Sequence, residues 1–217
     1  MTARIAGFWY VAFILLCAFA IAYVEERLSV AGDAAAAIES FRANMTLYYF
    51  GLAAYIIGYI CFILSVNALY GIFRSANKRA ARSMRVLVIV GTAVALMCKL
   101  AQYIAVIDTG LQADTAACLL SLYTNGENAA GIFWGVWLIP LGLMILQSKL
   151  IPKAIGILLF VACAGHLTDC GLFFLGPSNI SGAILSVPYV AEMTGEFALV
   201  LWLLIRGIKS TADNSFP

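Results

Sequence analysis

The stretch LYYFGLAAYIIGYICFILSVNALYGIF, Leu47–Phe73, decides the fold. It holds no Asp, Glu, Lys, Arg or His, and as a helix rising ~1.5 Å per residue it reaches about 40 Å. A bilayer's hydrocarbon layer is ~30 Å thick, and a backbone crossing it must satisfy its own hydrogen bonds. The stretch therefore reads as a transmembrane α-helix. Outward from it, similar runs stand at Ile5–Val24, Val86–Ile107, Ala129–Leu146, Ala154–Leu175 and Leu185–Ile205. The expectation is an all-α polytopic membrane protein, one integral-membrane domain over residues 1–217, with a bundle of six transmembrane helices and short outer amphipathic helices. Composition agrees. Of 217 residues, 64% are hydrophobic and 11% charged, against about 45–50% and about 25% in soluble domains, which excludes a water-soluble globule or a disordered chain. The first run, with Arg4 ahead of it, has some features of a signal peptide, but its length of ~30 Å favours a retained span.

Charge sets the expected orientation. If the spans alternate, Arg4, Arg74, Lys78, Arg79, Arg82, Arg85, Lys149, Lys153, Arg206 and Lys209 share one side, leaving Arg27 and Arg42 on the other. Basic residues favour the cytoplasmic side, so both termini are expected there, in the inner (cytoplasmic) membrane of a bacterium. The net charge of +2, spent on topology, argues against nucleic-acid binding. On the outer side, Gly32–Met45 reads as a short amphipathic helix with Asp33 as N-cap and Ile38, Phe41 and Met45 at helical spacing. The connection Asp108–Asn128 is rich enough in Leu and Tyr to rest on the bundle or at the headgroups. Both segments are candidates for covering an outward-facing cavity or for plain interfacial packing.

Ionisable residues inside spans cost ~2.5–3.5 kcal/mol at the centre and are functional candidates by default. Counted from the basic residue ending each span, Lys99 lies ~21 Å deep, His166 ~20 Å, Asp169 ~24 Å, Glu192 ~21 Å and Glu196 ~15 Å. Groups from three spans thus converge on nearly one level. His166 and Asp169 share a helix face, as do Glu192 and Glu196. Gln102 and Tyr103 lie on the face of Lys99, and Tyr59, Trp134, Trp137 and Tyr189 reach similar depths. If these faces meet, they enclose a polar cavity with aromatic walls. Asp169, Glu196, His166 and Lys99 are the candidate catalytic residues. Gln102, Tyr103, Tyr59, Trp134, Trp137, Tyr189 and Glu192 are the candidate substrate-binding residues. Lys99 is expected to pair with Asp169 or Glu196. Glu25 and Glu26, at the end of the first span, reach the cavity only if that helix leans inward.

Cys163, His166 and Cys170 invite a zinc or copper site by spacing. Three ligands on one rigid helix seldom close a tetrahedral shell, however, and the chain has no second histidine, so no metal is assigned. The single histidine also excludes bis-histidine haem and the H-E-x-x-H motif. No G-x-S-x-G or P-loop is present, and no cofactor is expected. The six cysteines show no C-x-x-C and lie mostly within apolar runs, unlike a secreted disulfide framework.

Four short motifs carry a resemblance: A-R-I-A-G at Ala3–Gly7, G-D-A at Gly32–Ala34, G-H-L-T-D at Gly165–Asp169 and G-E at Gly195–Glu196. With them the chain resembles a bacterial inner-membrane family known only as a domain of unknown function. The resemblance implies a six-helix bundle with acids at the positions of Asp169 and Glu196. It also implies that arginine often replaces Lys99 and that His166 is often missing. It brings no reaction. From the residues, the leading expectation is an outward-facing acid/base cavity that binds or acts on a hydrophobic or amphipathic small molecule. Acid-initiated isoprenoid cyclisation or lipid isomerisation suits it, since protonating an alkene needs a carboxylic acid and cation-stabilising aromatics. Asp169 or Glu196 would be the acid, His166 or a second carboxylate the base, and Lys99 an electrostatic stabiliser. The alternatives are a proton-coupled transporter or channel and a non-catalytic accessory membrane subunit.

Overall fold

The computed structural model describes residues 2–148, 150–176 and 182–208, with the side chains of residues 2, 182–186 and 189 outside that description. Lys149 and Lys209 of the expected basic side lie outside the described residues. The described backbone is helical and contains no strand. In chain order it forms α1 (Thr2–Cys17), a π-helical segment (Ala18–Glu25), α2 (Glu26–Leu28), α3 (Ala34–Ala43) and α4 (Met45–Phe73). There follow α5 (Lys78–Ile107), α6 (Ala113–Val136), α7 (Leu138–Ser148), α8 (Lys153–Leu175) and α9 (Gly182–Ile205). Five described stretches are long and apolar enough to cross a membrane: Ala3–Leu28, Met45–Phe73, Lys78–Ile107, Ala113–Ser148 and Lys153–Leu175. The sixth expected run falls within α9, a helix of 24 residues. The chain is an all-α polytopic membrane bundle.

Its ends are sorted by polarity. Ser65, late in α4, donates to the Ala6 carbonyl at 2.9 Å, and the backbone of Gly207 lies beside Arg4. Asn77 donates to Gln147 at 3.3 Å, joining the α4–α5 and α7–α8 connections. These contacts gather Arg4, Arg74, Lys78, Lys153 and Arg206 at one end of the bundle. At the opposite end, Asp33 caps α3 by accepting from the Ala36 amide at 2.9 Å. α3 buries Ala37, Ile38 and Phe41, and Phe41 joins Val24, Leu28, Tyr48 and Val106 in a small core of its own. Arg42 donates to the carbonyls of Val106 and Asp108 at 2.8 and 2.9 Å. It thereby satisfies acceptors that the end of α5 leaves open, which suits a cation at a helix C-terminus.

Two breaks aim side chains inward. α6 and α7 part at Trp137, three residues before Pro140. The proline ring crowds the carbonyl four residues earlier, that of Val136, and offers it no donor; the step leaves Trp137 1% exposed. The π-helical segment does the same at the end of the first span, where wider turns shift the register and leave Glu25 buried at 8% exposure. The expected loop Asp108–Asn128 is instead mostly helix, α6 beginning at Ala113. Its polar residues do not break it, because Ser121, Thr124, Asn125 and Asn128 bond along the helix itself.

Candidate functional site

The intramembrane polar residues fall into two groups. In the first, α5 presents Lys99 and Gln102, 3% and 0% exposed, to Glu25. The Lys99 ammonium pairs with Glu25 Oε1, and Gln102 Nε2 donates to Glu25 Oε2 at 2.7 Å. The same ammonium stands 4.9 and 4.6 Å from the ring centroids of Tyr55 and Tyr123 and 3.4 Å from the Tyr123 hydroxyl. Lys99 therefore has Glu25 as its partner, in place of the expected Asp169 or Glu196, because the π-helical segment carries Glu25 under α3. Tyr103 is half-buried and packs on the small core beneath α3.

The second group surrounds a cavity of about 480 Å³ between α1, the π-helical segment, α4, α6, α8 and α9. His166 on α8 lies between two acids of α9. Its Nε2 is 3.1 Å from Glu196 Oε1, and its Nδ1 is 3.6 Å from Glu192 Oε1. Tyr10 on α1 donates to Glu196 Oε2 at 2.5 Å, so both oxygens of Glu196 are engaged. Asp169 lines the cavity one turn along α8 and is exposed. Across from the acids stands an aromatic wall of Phe13, Tyr59, Phe62, Trp134 and Trp137. Trp134 stacks on Tyr59 at 5.5 Å, and Phe62 stands edge-on to Trp137 at 5.2 Å.

Small residues set this geometry. An added Cβ at Gly165 would lie 2.7 Å from the Pro188 carbonyl oxygen and 3.1 Å from Glu192, and one at Gly195 would lie 2.5 Å from the Leu158 oxygen. Only glycine lets α8 and α9 approach so closely, the usual small-residue seam between membrane helices. The seam holds His166 level with Glu192 and Glu196. Near the start of α1, Gly7 packs on Leu203 and Leu204, but the π-helical segment packs on α1, α2 and α4 and leaves α9. The two helices diverge past Tyr10, and the cavity residues Ala18, Ile21, Asp169 and Phe197 are exposed there. This mouth opens through the side of the bundle.

Of the residues expected to form a site, His166, Asp169, Glu192, Glu196, Tyr59, Trp134 and Trp137 line this cavity, whereas Lys99, Gln102 and Tyr103 do not. The side chain of Tyr189 lies outside the described residues. Sequence reasoning missed Tyr10, Glu127 and Asn128. Glu127 lines the cavity and accepts from the Tyr55 hydroxyl at 2.5 Å; a carboxylate seven residues before Trp134, two helical turns along one face, was the signal available for it. No trio of His, Cys, Asp or Glu among the described residues is gathered closely enough to hold a metal ion.

Fold and site together define a polytopic helical membrane protein with an acid- and aromatic-lined cavity. The chain belongs to the family described as a domain of unknown function, DUF4386, which matches residues 5–207. It is 33% identical to an uncharacterised protein of Archaeoglobus fulgidus over 86 residues, 40% of this chain and 49% of that one. The match thus spans about half the length of that relative. No solved structure matches the chain.

Proposed function

We propose that this protein takes a hydrophobic or amphipathic small molecule from the bilayer into the cavity beside His166 and handles protons on it there. The observation that carries the proposal is the pairing of one imidazole with two carboxyl groups, Glu192 and Glu196, on the wall of a 480 Å³ space facing five aromatic rings. Ligand sites are typically concave, about 300–1,000 Å³, largely apolar and supplied with a few convergent polar groups. Glu196, held by Tyr10 and His166, is the positioned acid or base; Asp169, at the mouth, is the second. An acid facing aromatic rings suits cationic intermediates, so acid-initiated isoprenoid cyclisation or lipid isomerisation is the finer reading. Lys99, committed to Glu25, holds helices together and takes no part in it. The basic end is assigned to the cytoplasm of a bacterial inner membrane, and the cavity opens sideways toward the lipid.

The test uses a variant that fills the space. A Cβ at Gly131, on the cavity wall, meets only Cys170 Cβ, at 3.9 Å, so the position has room for a side chain, and Gly131→Leu is chosen to fill the space. Lipid extracts of the purified protein are compared by mass spectrometry. The wild type is expected to carry a small molecule that Gly131→Leu lacks, and cells fed isoprenoid or lipid precursors are expected to lose its conversion in Asp169→Asn and Glu196→Gln. Identical extracts from wild type and Gly131→Leu would overturn the binding proposal. Unchanged turnover in both acid variants would remove the catalytic part.

A further inference from the structure

The wall chemistry narrows the ligand class. Four carboxyl side chains line the cavity, those of Glu127, Asp169, Glu192 and Glu196, together with one imidazole. No lysine or arginine lines it among the described residues. His166 is the one basic side chain among the described residues of this wall, against four carboxyl groups. The nearby cation, Lys99, has its ammonium on Glu25 and between two tyrosine rings, where it serves no cavity ligand. Glu192 supplies an independent observation. It is 7% exposed, and its Oε1 atom is buried without a hydrogen-bond partner among the described residues, the 3.6 Å to His166 Nδ1 being too long for a hydrogen bond. A buried acceptor without a donor forfeits its solvation. A ligand bringing N–H donors or a positive charge to that wall would restore the balance.

We infer that the cavity's ligand is a lipophilic organic cation, an amine or quaternary ammonium carried on an apolar chain. This rests on the proposal that the cavity binds an amphipathic molecule, and adds its charge. The faces of Tyr59, Trp134 and Trp137 attract cations through their quadrupoles, and aromatic cages with nearby acids are the known means of holding ammonium groups. An anionic headgroup finds no lysine or arginine on this wall to receive it, and a neutral hydroxyl can donate to Glu192 Oε1 but gains nothing from the faces of the aromatic rings. The sideways mouth, between Ile21 and Phe197, both more than 40% exposed, lets the chain of such a molecule lie in the hydrocarbon while its charged group enters.

Three probes of equal chain length separate these classes: decyltrimethylammonium, decanol and decanoate. Each is titrated into the full chain in phosphatidylcholine nanodiscs, followed by tryptophan fluorescence and calorimetry, with Gly131→Leu nanodiscs subtracting partition into lipid. The ammonium is expected to bind saturably and at least about 10-fold more tightly than decanol, the scale of a desolvated cation–π contact. Glu192→Gln with Glu196→Gln is expected to remove that preference while decanol binding persists. Asp169→Asn, at an exposed position, is expected to reduce it in a protein whose packing is untouched, which keeps the test intact if the double variant fails to fold. Equal binding of ammonium and decanol, or preference for decanoate, overturns the cationic class but leaves the cavity as a binding site. Absence of saturable binding by any probe overturns both.

Discussion

Lys99 is a charge inside a membrane bundle, and its surroundings are complete: Glu25 for its charge, Tyr55 and Tyr123 for its faces. Removing one partner of such a pair strands the other in a medium of low dielectric at about 3–5 kcal/mol, whereas removing both is often nearly neutral. Lys99→Met is therefore expected to lower the thermal stability of the detergent-solubilised protein sharply, and Lys99→Met with Glu25→Leu to recover most of the loss; equal instability of single and double variants would refute the pairing. The cost of a buried ammonium made Lys99 stand out in the sequence. Its partner did not, because Glu25 sits at a span end, where a charge is ordinary, and only the π-helical turn before it brings the carboxylate inward. Glu127 was hidden for a similar reason. Flanked by Asn125, Gly126 and Asn128, it reads as loop until the helix around it is seen to bury its face.

At the scale of elements, the site depends on how closely α8 and α9 approach. At Gly195, a methyl group would meet the Leu158 carbonyl oxygen at 2.5 Å and Ala162 Cβ at 3.0 Å. Overpacking of this kind costs typically about 1–3 kcal/mol. At Gly171, further along α8, nothing lies within 4 Å, and alanine is favoured over glycine within a helix by roughly 0.5–1 kcal/mol. Gly195→Ala is expected to lower the unfolding temperature and Gly171→Ala to hold or raise it, measured side by side in the same detergent. A tolerated Gly195→Ala would mean that the two helices do not meet there. The helices themselves follow from hydrophobic length and from Asp33, whose spacing to Ala36 is that of an N-cap. Their faces are less legible. An apolar residue in a membrane span is at ease toward lipid or toward another helix, so hydropathy does not say which side turns inward.

Across the whole molecule, the basic connections lie at one end and α3 and the start of α6 at the other. Cys118, on α6, is exposed, whereas Cys61, Cys98, Cys163 and Cys170 are buried and Cys17 is half-buried. With the basic end in the cytoplasm, intact spheroplasts treated with a membrane-impermeant maleimide are expected to label Cys118, and Cys118→Ser to abolish the signal. Labelling only after lysis would reverse the assigned orientation.

The sequence by itself determined that this chain lives in a bilayer as a helical bundle, and which of its residues are too costly there to be incidental, since both follow from transfer free energies that each residue carries with it. Which of those residues meet was decided by tertiary structure alone. Counted from the nearest basic residues, Lys99 and His166 share one depth, but against α6 they do not: Cys98, beside Lys99, meets Gly126, whereas His166 meets Gly135, nine residues and about 13 Å of helix away. The level at which each helix starts, α5 beginning at Lys78 and not at Arg85, and its rotation about its axis sent Lys99 to Glu25 and left His166 with Glu192 and Glu196 beside an aromatic wall.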